Sequence, residues 1–263
     1  MKSINVLIIT VIFAISAIGT FAFGKDVLIK SHKFNIKSQT LLEIKIEGSE
    51  IEITPGNNDE ILVEIFGNQR VTEHFEFIFK SEDNLIKVIG ERKINWNFFR
   101  SLNLIFKIKI PSNFNINAST SGGDIKVGGI SGNVSMNTSG GDIWADEFSG
   151  MLKAITSGGD IKIFANNAQI DAKTSGGDIK LELSGESKGV DLVTSGGDIK
   201  IFIPQNFNAE LEAITLGGDI RSQFELNKVR TLAKNKVYGI INSGGEKISA
   251  KTSGGDISIN ILK

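Results

Sequence analysis

The sequence predicts an all-β protein, a parallel β-solenoid of coils of about 18 residues preceded by an irregular β-rich section. The first observation is a phrase, Thr-Ser-Gly-Gly-Asp-Ile, that occurs seven times, once with Leu216 in place of Ser. The second is its spacing, because successive Asp residues of the phrase lie 18, 18, 18, 20, 21 and 37 residues apart. The third is the alternation of apolar and polar residues between phrases, which is the period of a β-strand. Such a fixed period is typical of solenoids, in which each repeat buries its apolar face against its neighbours.

The N-terminus has the pattern of a signal peptide. A basic residue precedes an uncharged apolar run over residues 4–23, and charged residues begin at Lys25. Ala22 and Gly24 are small residues at the −3 and −1 positions, so we expect cleavage after Gly24 and removal of residues 1–24. The alternative is an uncleaved membrane anchor, because a run of this length could just span a bilayer. The segment predicts export to the periplasm, the cell surface or the medium.

Composition argues against several kinds of partner. The chain has 263 residues and a net charge of −1 with mixed signs, so it lacks the basic footprint of a nucleic-acid-binding protein. Contact with a membrane is expected only through the signal segment, if that segment stays attached. There are no cysteines for disulfides or lipid attachment, and with two histidines a zinc site is not expected. No cofactor is predicted.

Residues 25–115 are predicted to form a β-rich section that caps the solenoid. Stretches such as 42–46, 75–79 and 102–110 alternate apolar and polar residues, and turn residues separate them. The repeated phrase is absent from this section, and phenylalanine is more frequent than in the repeats. We expect a bulkier core that covers the first coil, because the bare end of a solenoid is an open sheet edge.

Residues 116–263 contain the repeats, each expected to supply two strands of about five residues joined at Ser-Gly-Gly. The glycines permit backbone conformations closed to residues with a Cβ, so a sharp corner can recur at one place. Stacked coils would set identical residues in ladders ~4.8 Å apart. The predicted corner and ladder residues are Gly122, Gly123, Asp124, Gly140, Gly141, Asp142, Gly158, Gly159, Asp160, Gly176, Gly177, Asp178, Gly196, Gly197 and Asp198. A second corner, rich in Gly, Asn and Ser, falls about ten residues before each Asp.

The core of the repeats is predicted to be thin. One inward row is Ile, with Ile161 expected between Ile143 and Ile179, and the row opposite is usually Ala (118, 154, 172, 213 and 250). Between Asp219 and Asp256 we expect one further coil and an excursion over residues 225–236. The bases of this excursion predict a solvated loop or short helix, and they are Lys228, Arg230, Lys234 and Lys236.

These features together resemble a bacterial exported family, a domain of unknown function named "putative adhesin". The resemblance rests on the signal segment, the strand ending at Ile110-Pro111, the phrases from Thr120 onward and the closing phrase at 252–257. It covers nearly the whole mature chain, with Leu216 and the excursion after Phe224 as departures. The resemblance implies a β-solenoid at the cell envelope and implies no particular chemistry.

The row of Asp residues could in principle bind calcium, as in the Gly-rich calcium β-rolls. The phrase offers one carboxylate per turn, however, whereas calcium takes six or more oxygens. The favoured interpretation is that each Asp accepts backbone N–H groups in its own corner and faces a ladder of bases two residues further on. These bases are Lys126, Lys162, Lys180, Lys200 and Arg221.

Two other groups of residues are candidates for chemistry. The serines of the phrase would need a general base to act as nucleophiles, but His32 and His74 lie outside the repeats and are expected to be surface or strand-edge residues. Trp96, Phe98 and Phe99 lie between predicted strands, and such aromatic side chains either contact a ligand or fold back over the core.

The sequence therefore predicts a non-enzymatic exported envelope protein that acts by surface recognition or as a structural module. Its partner would be an envelope or surface ligand, either protein or glycan. The alternative is a polysaccharide-acting enzyme on a β-helix scaffold. A pair of carboxylates ~5–10 Å apart in a cleft would favour the enzyme.

Overall fold

The computed structural model describes residues 27–68, 71–93, 104–233 and 235–262, which form one open sheet of 21 strands and one short helix. The elements of the N-terminal section are β1 (Val27–Asn35), β2 (Leu41–Ile46), β3 (Glu50–Pro55), β4 (Glu60–Gly67), α1 (Val71–His74), β5 (Phe75–Ser81), β6 (Leu85–Arg92) and β7 (Leu104–Ile110). The protein is all-β, as the alternation of the sequence predicts. The signal segment 1–24 lies outside the described residues.

The repeats supply the remaining strands. They are β8 (Asn115–Thr120), β9 (Ile125–Gly128), β10 (Ser131–Asn137), β11 (Ile143–Ile155), β12 (Ile161–Lys173), β13 (Ile179–Ser184), β14 (Val190–Val193), β15 (Ile199–Ile203), β16 (Ala209–Thr215), β17 (Ile220–Ser222), β18 (Leu226–Ala233), β19 (Lys236–Ile241), β20 (Lys247–Thr252) and β21 (Ile257–Ile261). Strands β11 and β12 run through the second corner without a break, so they are longer than the five residues expected.

Neighbouring repeats pair in parallel with their phrases in register. Ile143 pairs with Ile161, and Ile161 pairs with Ile179, so each partner lies one repeat further along the chain. Between phrases, side chains alternate between buried and partly exposed, and Ile161 is fully buried. The opposite row is also buried, and its members are Ala118, Ala154, Ala172, Ala213 and Ala250. The predicted inward and outward positions are therefore confirmed.

The spatial order of the last two phrases differs from their order in the sequence. The strand β21 pairs with β15 on one side, through Ile257 and Ile199, and with β17 on the other, through Ile257 and Ile220. Likewise β20 lies between β14 and β16. The C-terminal strands are thus inserted between two repeats that precede them in the chain, and the repeat of Ile220 becomes the last in the stack.

The N-terminal section contains a degenerate copy of the phrase. Strands β2 and β3 pair in parallel with β8 and β9, with Ile46 opposite Thr120 and Ile51 opposite Ile125. This register aligns the segment Ile-Glu-Gly-Ser-Glu-Ile, residues 46–51, with the first Thr-Ser-Gly-Gly-Asp-Ile phrase. Strands β6 and β7 pair with β2 and β3 in turn, so the parallel ladders continue below the first recognisable repeat.

Antiparallel strands cover most of the sheet's ends. At the N-terminal end β4 pairs antiparallel with β7, β1 with β4, and β5 with β6. At the C-terminal end β19 pairs antiparallel with β16, and β18 with β19. The excursion expected as a loop or helix is therefore a β-hairpin, which pairs the free edge of β16. The remaining edge, β17, has only three residues and carries exposed charges, as protected edge strands do.

Candidate functional site

The second glycine of each phrase lies directly against the backbone of the preceding coil. A Cβ built on Gly159 would stand 2.0 Å from the carbonyl oxygen of Gly141, a distance that real Cβ atoms do not show. A Cβ on the first glycine, Gly158, would lie 3.6 Å from its nearest neighbour, which is ordinary contact. The same crowding, at 2.0 to 2.2 Å, recurs at Gly123, Gly141, Gly177 and Gly197. The glycines at these positions are needed for close stacking.

The expected reason for the glycines, a backbone conformation with positive φ, is wrong for the phrase. None of the glycines of the seven phrases has positive φ, which occurs in the repeats at the second corner, for example at Gly129 (64°), Gly150 (108°) and Asn167 (52°). Conformational freedom therefore shapes the second corner, and the absence of a side chain shapes the first.

The threonine of each phrase links two coils. The hydroxyl of Thr156 is buried, donates to the carbonyl of Gly141 at 2.9 Å and accepts the N–H of Gly159 at 3.3 Å. Thr174 repeats both bonds one coil further on. Because the hydroxyl satisfies a donor and an acceptor at a buried corner, this position specifies Thr over an apolar β-branched residue.

The aspartates form a ladder of hydrogen bonds between coils. The carboxylate of Asp142 accepts the backbone N–H of Asp160 at 2.8 Å, and Asp160 accepts that of Asp178 at 2.9 Å. The inserted repeat keeps the pattern, since Asp198 accepts from Asp256. We expected each Asp carboxylate to accept N–H groups of its own corner. In the structure, the N–H group that it accepts belongs to the next coil, so that expectation is wrong. These bonds are charge-assisted and offset the mutual repulsion of stacked carboxylates.

Only some of the basic residues two positions after each Asp form ion pairs with the aspartates. Lys200 lies 3.6 Å from Asp198, and Arg221 bridges Asp219 at 2.9 Å and Asp256 at 3.2 Å. Other bases of the row pair elsewhere, since Lys126 contacts Glu50 and Lys180 contacts Glu182 at 2.7 Å. Within the described ranges, no group of three or more His, Cys, Asp or Glu side chains could hold a metal ion.

The other predicted candidates lie apart from the repeats. Trp96, Phe98 and Phe99 fall outside the described residues. His32 lies on the edge strand β1, half-buried, with its ring stacked 4.5 Å from that of Phe79. Burial and the nearby Lys30 lower the pKa of His32, which favours the neutral form of its imidazole.

Sequence reasoning missed a row of aromatic side chains on the outer face of strands β11, β12, β13 and β15. We call it the aromatic face, and its residues are the aromatic Trp144, Phe164 and Phe202 together with Lys180, which lies between the two Phe rings. The ring of Trp144, which is 42% exposed, lies 6.1 Å from that of Phe164 at an interplanar angle of 28°. The ammonium of Lys180 stands 5.2 Å from the centres of both Phe164 and Phe202. The sequence did contain a signal for this face. Its aromatic residues stand at outward strand positions where most other repeats have a polar residue.

A buried carboxylate holds the inserted strand β20 in place. Glu212, on β16, has a side chain only 10% exposed and pairs with Lys247 at 2.7 Å and with Lys251 at 3.3 Å, both on β20. Burial would raise the pKa of Glu212, but hydrogen bonds from Lys247, Tyr238 and Lys251 outweigh it and lower the pKa to about 2. The ionised carboxylate therefore stabilises the C-terminal end of the stack.

We expect the ion pairs of Glu212 to make the free energy of unfolding depend on pH. Because the pKa of Glu212 is lower in the folded than in the unfolded protein, its contribution is complete above pH ~4.5 and is lost as the pH falls towards 2. Urea titrations of the wild type and Glu212→Gln should differ by on the order of 2 kcal/mol at pH 7, and the difference should shrink at pH 3. An equal difference at both pH values would contradict the assignment.

The fold and the phrase place the chain in a known family. The family described as Toastrack DUF4097 matches residues 112–260, more than half of the chain, and the protein belongs to it. This family suggests a solenoid-like fold. A comparison with curated proteins finds no match.

Several solved structures are similar to the chain at low sequence identity. A "putative cell adhesion protein" from Clostridium sporogenes has 13% identity and a TM-score of 0.41, and the match covers 90% of this chain and 100% of that one. A "putative adhesin" from Bacteroides fragilis has 13% identity and a TM-score of 0.42, with 89% and 96% covered. A "putative lipid binding protein" from Parabacteroides distasonis has 17% identity and a TM-score of 0.30, with 89% and 98% covered. In the part of the chain that the structure describes, no helix is long and apolar enough to cross a membrane.

Proposed function

We propose that the protein is an exported, non-enzymatic module of the cell envelope that recognises a surface ligand with its aromatic face. The observation that carries the proposal is the outward-facing group of Trp144, which is 42% exposed, with Phe164 and Phe202, which are partly exposed. It lies on a sheet whose corners are fixed by repeated hydrogen bonds. A rigid face of this kind binds without reorganising, so little conformational entropy is lost on association. Large exposed aromatic groups on a soluble surface commonly mark interaction sites.

The architecture that presents this face is a β-solenoid with coils of about 18 residues, and the aromatic face is one of its outer sides. The register of Ile143, Ile161 and Ile179 supports this unit. Export depends on the proposed signal peptide over residues 1–24, followed by the capping section 25–115 and the solenoid 116–263.

The enzymatic alternative needs two free carboxylates in a cleft. Two acidic residues that lie close together, Asp171 and Asp191, share the ammonium of Lys173 at 2.9 and 3.7 Å on the sheet surface. Both carboxylates are therefore engaged in ion pairs, which favours a structural role for this pair. Asp146 and Glu182 line a groove beside the aromatic face, but Glu182 pairs with Lys180 at 2.7 Å and Asp146 accepts the N–H of Glu147 at 3.0 Å, so they too differ from the free pair that the enzyme needs.

The experiment is to apply fluorescently labelled mature protein to intact cells and isolated envelopes of the source bacterium. We expect saturable binding that a Trp144→Ala, Phe202→Ala double variant loses. Met151→Ala is the matched control, because Met151 is a similarly exposed apolar residue, 50% exposed, in the other half of the same strand β11. New reducing ends released from envelope polysaccharide would contradict the non-enzymatic proposal.

A further inference from the structure

A shallow groove lies beside the aromatic face, at the second corner of the same strands. Its volume is about 420 Å³, and Phe164 forms part of its wall together with Phe148. The polar residues that line it include Asp146, Glu182 and Asn166. Leu262, next to the inserted strand β21, also lines it, so the groove extends along the stack over several coils.

The groove and the aromatic face share Phe164, which joins them into one surface. The stacked ring of Trp144 extends this surface on one side, and Lys180 with Phe202 extends it on the other. The rings of Trp144 and Phe164, on neighbouring strands, lie 6.1 Å apart at an interplanar angle of 28° and offer an apolar platform. A pyranose ring is of comparable length and has an apolar C–H face on at least one side.

The polar lining is suited to hydroxyl groups. Carboxylates accept hydrogen bonds from hydroxyls, and a side-chain amide both donates and accepts. In the groove, Asp146 and Glu182 supply the carboxylates and Asn166 supplies the amide. Apolar and aromatic walls with a few convergent polar groups are the usual composition of a small-molecule site.

The charged residues that line the groove disfavour acidic ligands. Asp146, Glu147 and Glu182 all line it, so it repels a polyanion. Lys180 is engaged with Glu182 at 2.7 Å, which leaves little net positive charge to attract an acidic chain. An acidic polysaccharide and a nucleic acid are therefore both disfavoured, and the aromatic rings beside the groove favour a chain with apolar C–H faces.

We propose that this surface binds a neutral oligosaccharide lying along the axis of the stack. One sugar ring stacks on Trp144 and the next on Phe164, while hydroxyls donate hydrogen bonds to Asp146 and Glu182. The inference rests on the proposed recognition function and names the ligand class of the same face.

The test uses tryptophan fluorescence of the mature protein. The sequence contains only two tryptophans, so Trp96→Phe leaves Trp144 as the single reporter. We titrate this variant with neutral chains (oligomers of glucose, mannose and N-acetylglucosamine) and with polygalacturonate as the acidic control. The expected result is a saturable shift of Trp144 emission with at least one neutral series, with affinity rising with chain length, and no shift with polygalacturonate.

Calorimetry with the sugar so identified then tests the residues. Trp144→Ala and Glu182→Gln should each weaken binding at least tenfold, whereas Met151→Ala should bind as the wild type does. Circular dichroism and urea titration show that each variant is folded, and Trp144 is exposed enough for its removal to be tolerated. Unchanged binding in Trp144→Ala would overturn the proposal.

The glycan proposal and the recognition proposal fail differently. If none of the neutral chains binds but labelled protein still binds cells through Trp144 and Phe202, the glycan inference is wrong and recognition of another envelope component stands. If the protein binds neither sugars nor envelopes, both are wrong.

Discussion

Replacing Gly159 by alanine is expected to destabilise the protein by about 3 kcal/mol or more, whereas alanine at the neighbouring Gly158 should be tolerated. The added Cβ at Gly159 would meet the carbonyl of Gly141 at 2.0 Å, and the obstacle is backbone, which cannot rotate away. The coils would have to separate at this corner, which would stretch the bond from the Thr156 hydroxyl to Gly141.

The measurement is a pair of urea titrations. The two glycines are adjacent in the chain and identical in type, so the contrast isolates the approach of one coil to the next. Neither glycine has positive φ, so alanine at Gly158 also reduces the entropy of the unfolded chain. Equal losses for the two variants would show that the crowding of the second glycine does not control the stack.

A charge at the centre of the Ile row is expected to cost several kcal/mol. Ile161 is fully buried between Ile143 and Ile179, so Ile161→Asp would place a carboxylate in an apolar interior without a partner. The control is Lys162→Asp one residue further on, where the side chain points outward and a change should cost ~1 kcal/mol or less.

This second contrast tests the alternation of the strands directly. A slip of one residue in register would exchange the buried and exposed faces of the whole strand. If chemical denaturation found Lys162→Asp to be the more damaging variant, the assignment of inward and outward rows would be wrong.

The interior of the repeats could be predicted from the sequence because it depends on a local rule. Alternation places Ile161 inside and Lys162 outside whatever the neighbouring coil is. The Thr-Ser-Gly-Gly-Asp-Ile phrase likewise locates a corner by itself. The physical role of its second glycine could not be predicted, since periodicity does not distinguish a need for positive φ from a need for close approach.

The order of the coils could not be predicted, because each phrase offers the same donors, acceptors and apolar rows to any other. The repeat that contains Ile199 could stack against the repeat of Ile220 or against that of Ile257. The Thr and Asp hydrogen bonds between coils would form equally well in both arrangements. The hairpin β18–β19 decides the outcome, since it occupies the edge of β16 on the side away from β20.

The degenerate copy at residues 46–51 was missed for a related reason. It retains Ile51 and an acidic residue, Glu50, but has Ile46 in place of Thr and Ser49 in place of the second glycine. The candidate site was missed because its members are scattered. Trp144, Phe164 and Phe202 lie on three separate repeats, and only the register brings them to one face.

Disulfide formation between introduced cysteines reports whether the C-terminal repeat is inserted between two earlier repeats of the stack. The chain has no cysteines, so introduced pairs report without interference. Lys200 and Ser258 are in register on adjacent strands, at a spacing of ~4.8 Å that a disulfide can bridge. Lys200 and Arg221 both pair with Ser258, on opposite sides, so they are ~9.6 Å apart, too far for a disulfide.

The measurement is oxidation of the two double variants at low protein concentration, followed by mass spectrometry of the monomer. We expect a rapid intramolecular disulfide in Lys200→Cys/Ser258→Cys and none in Lys200→Cys/Arg221→Cys. A disulfide that forms in the second pair and not in the first would mean that the coils stack in the order of the sequence and that the C-terminal repeat is not inserted.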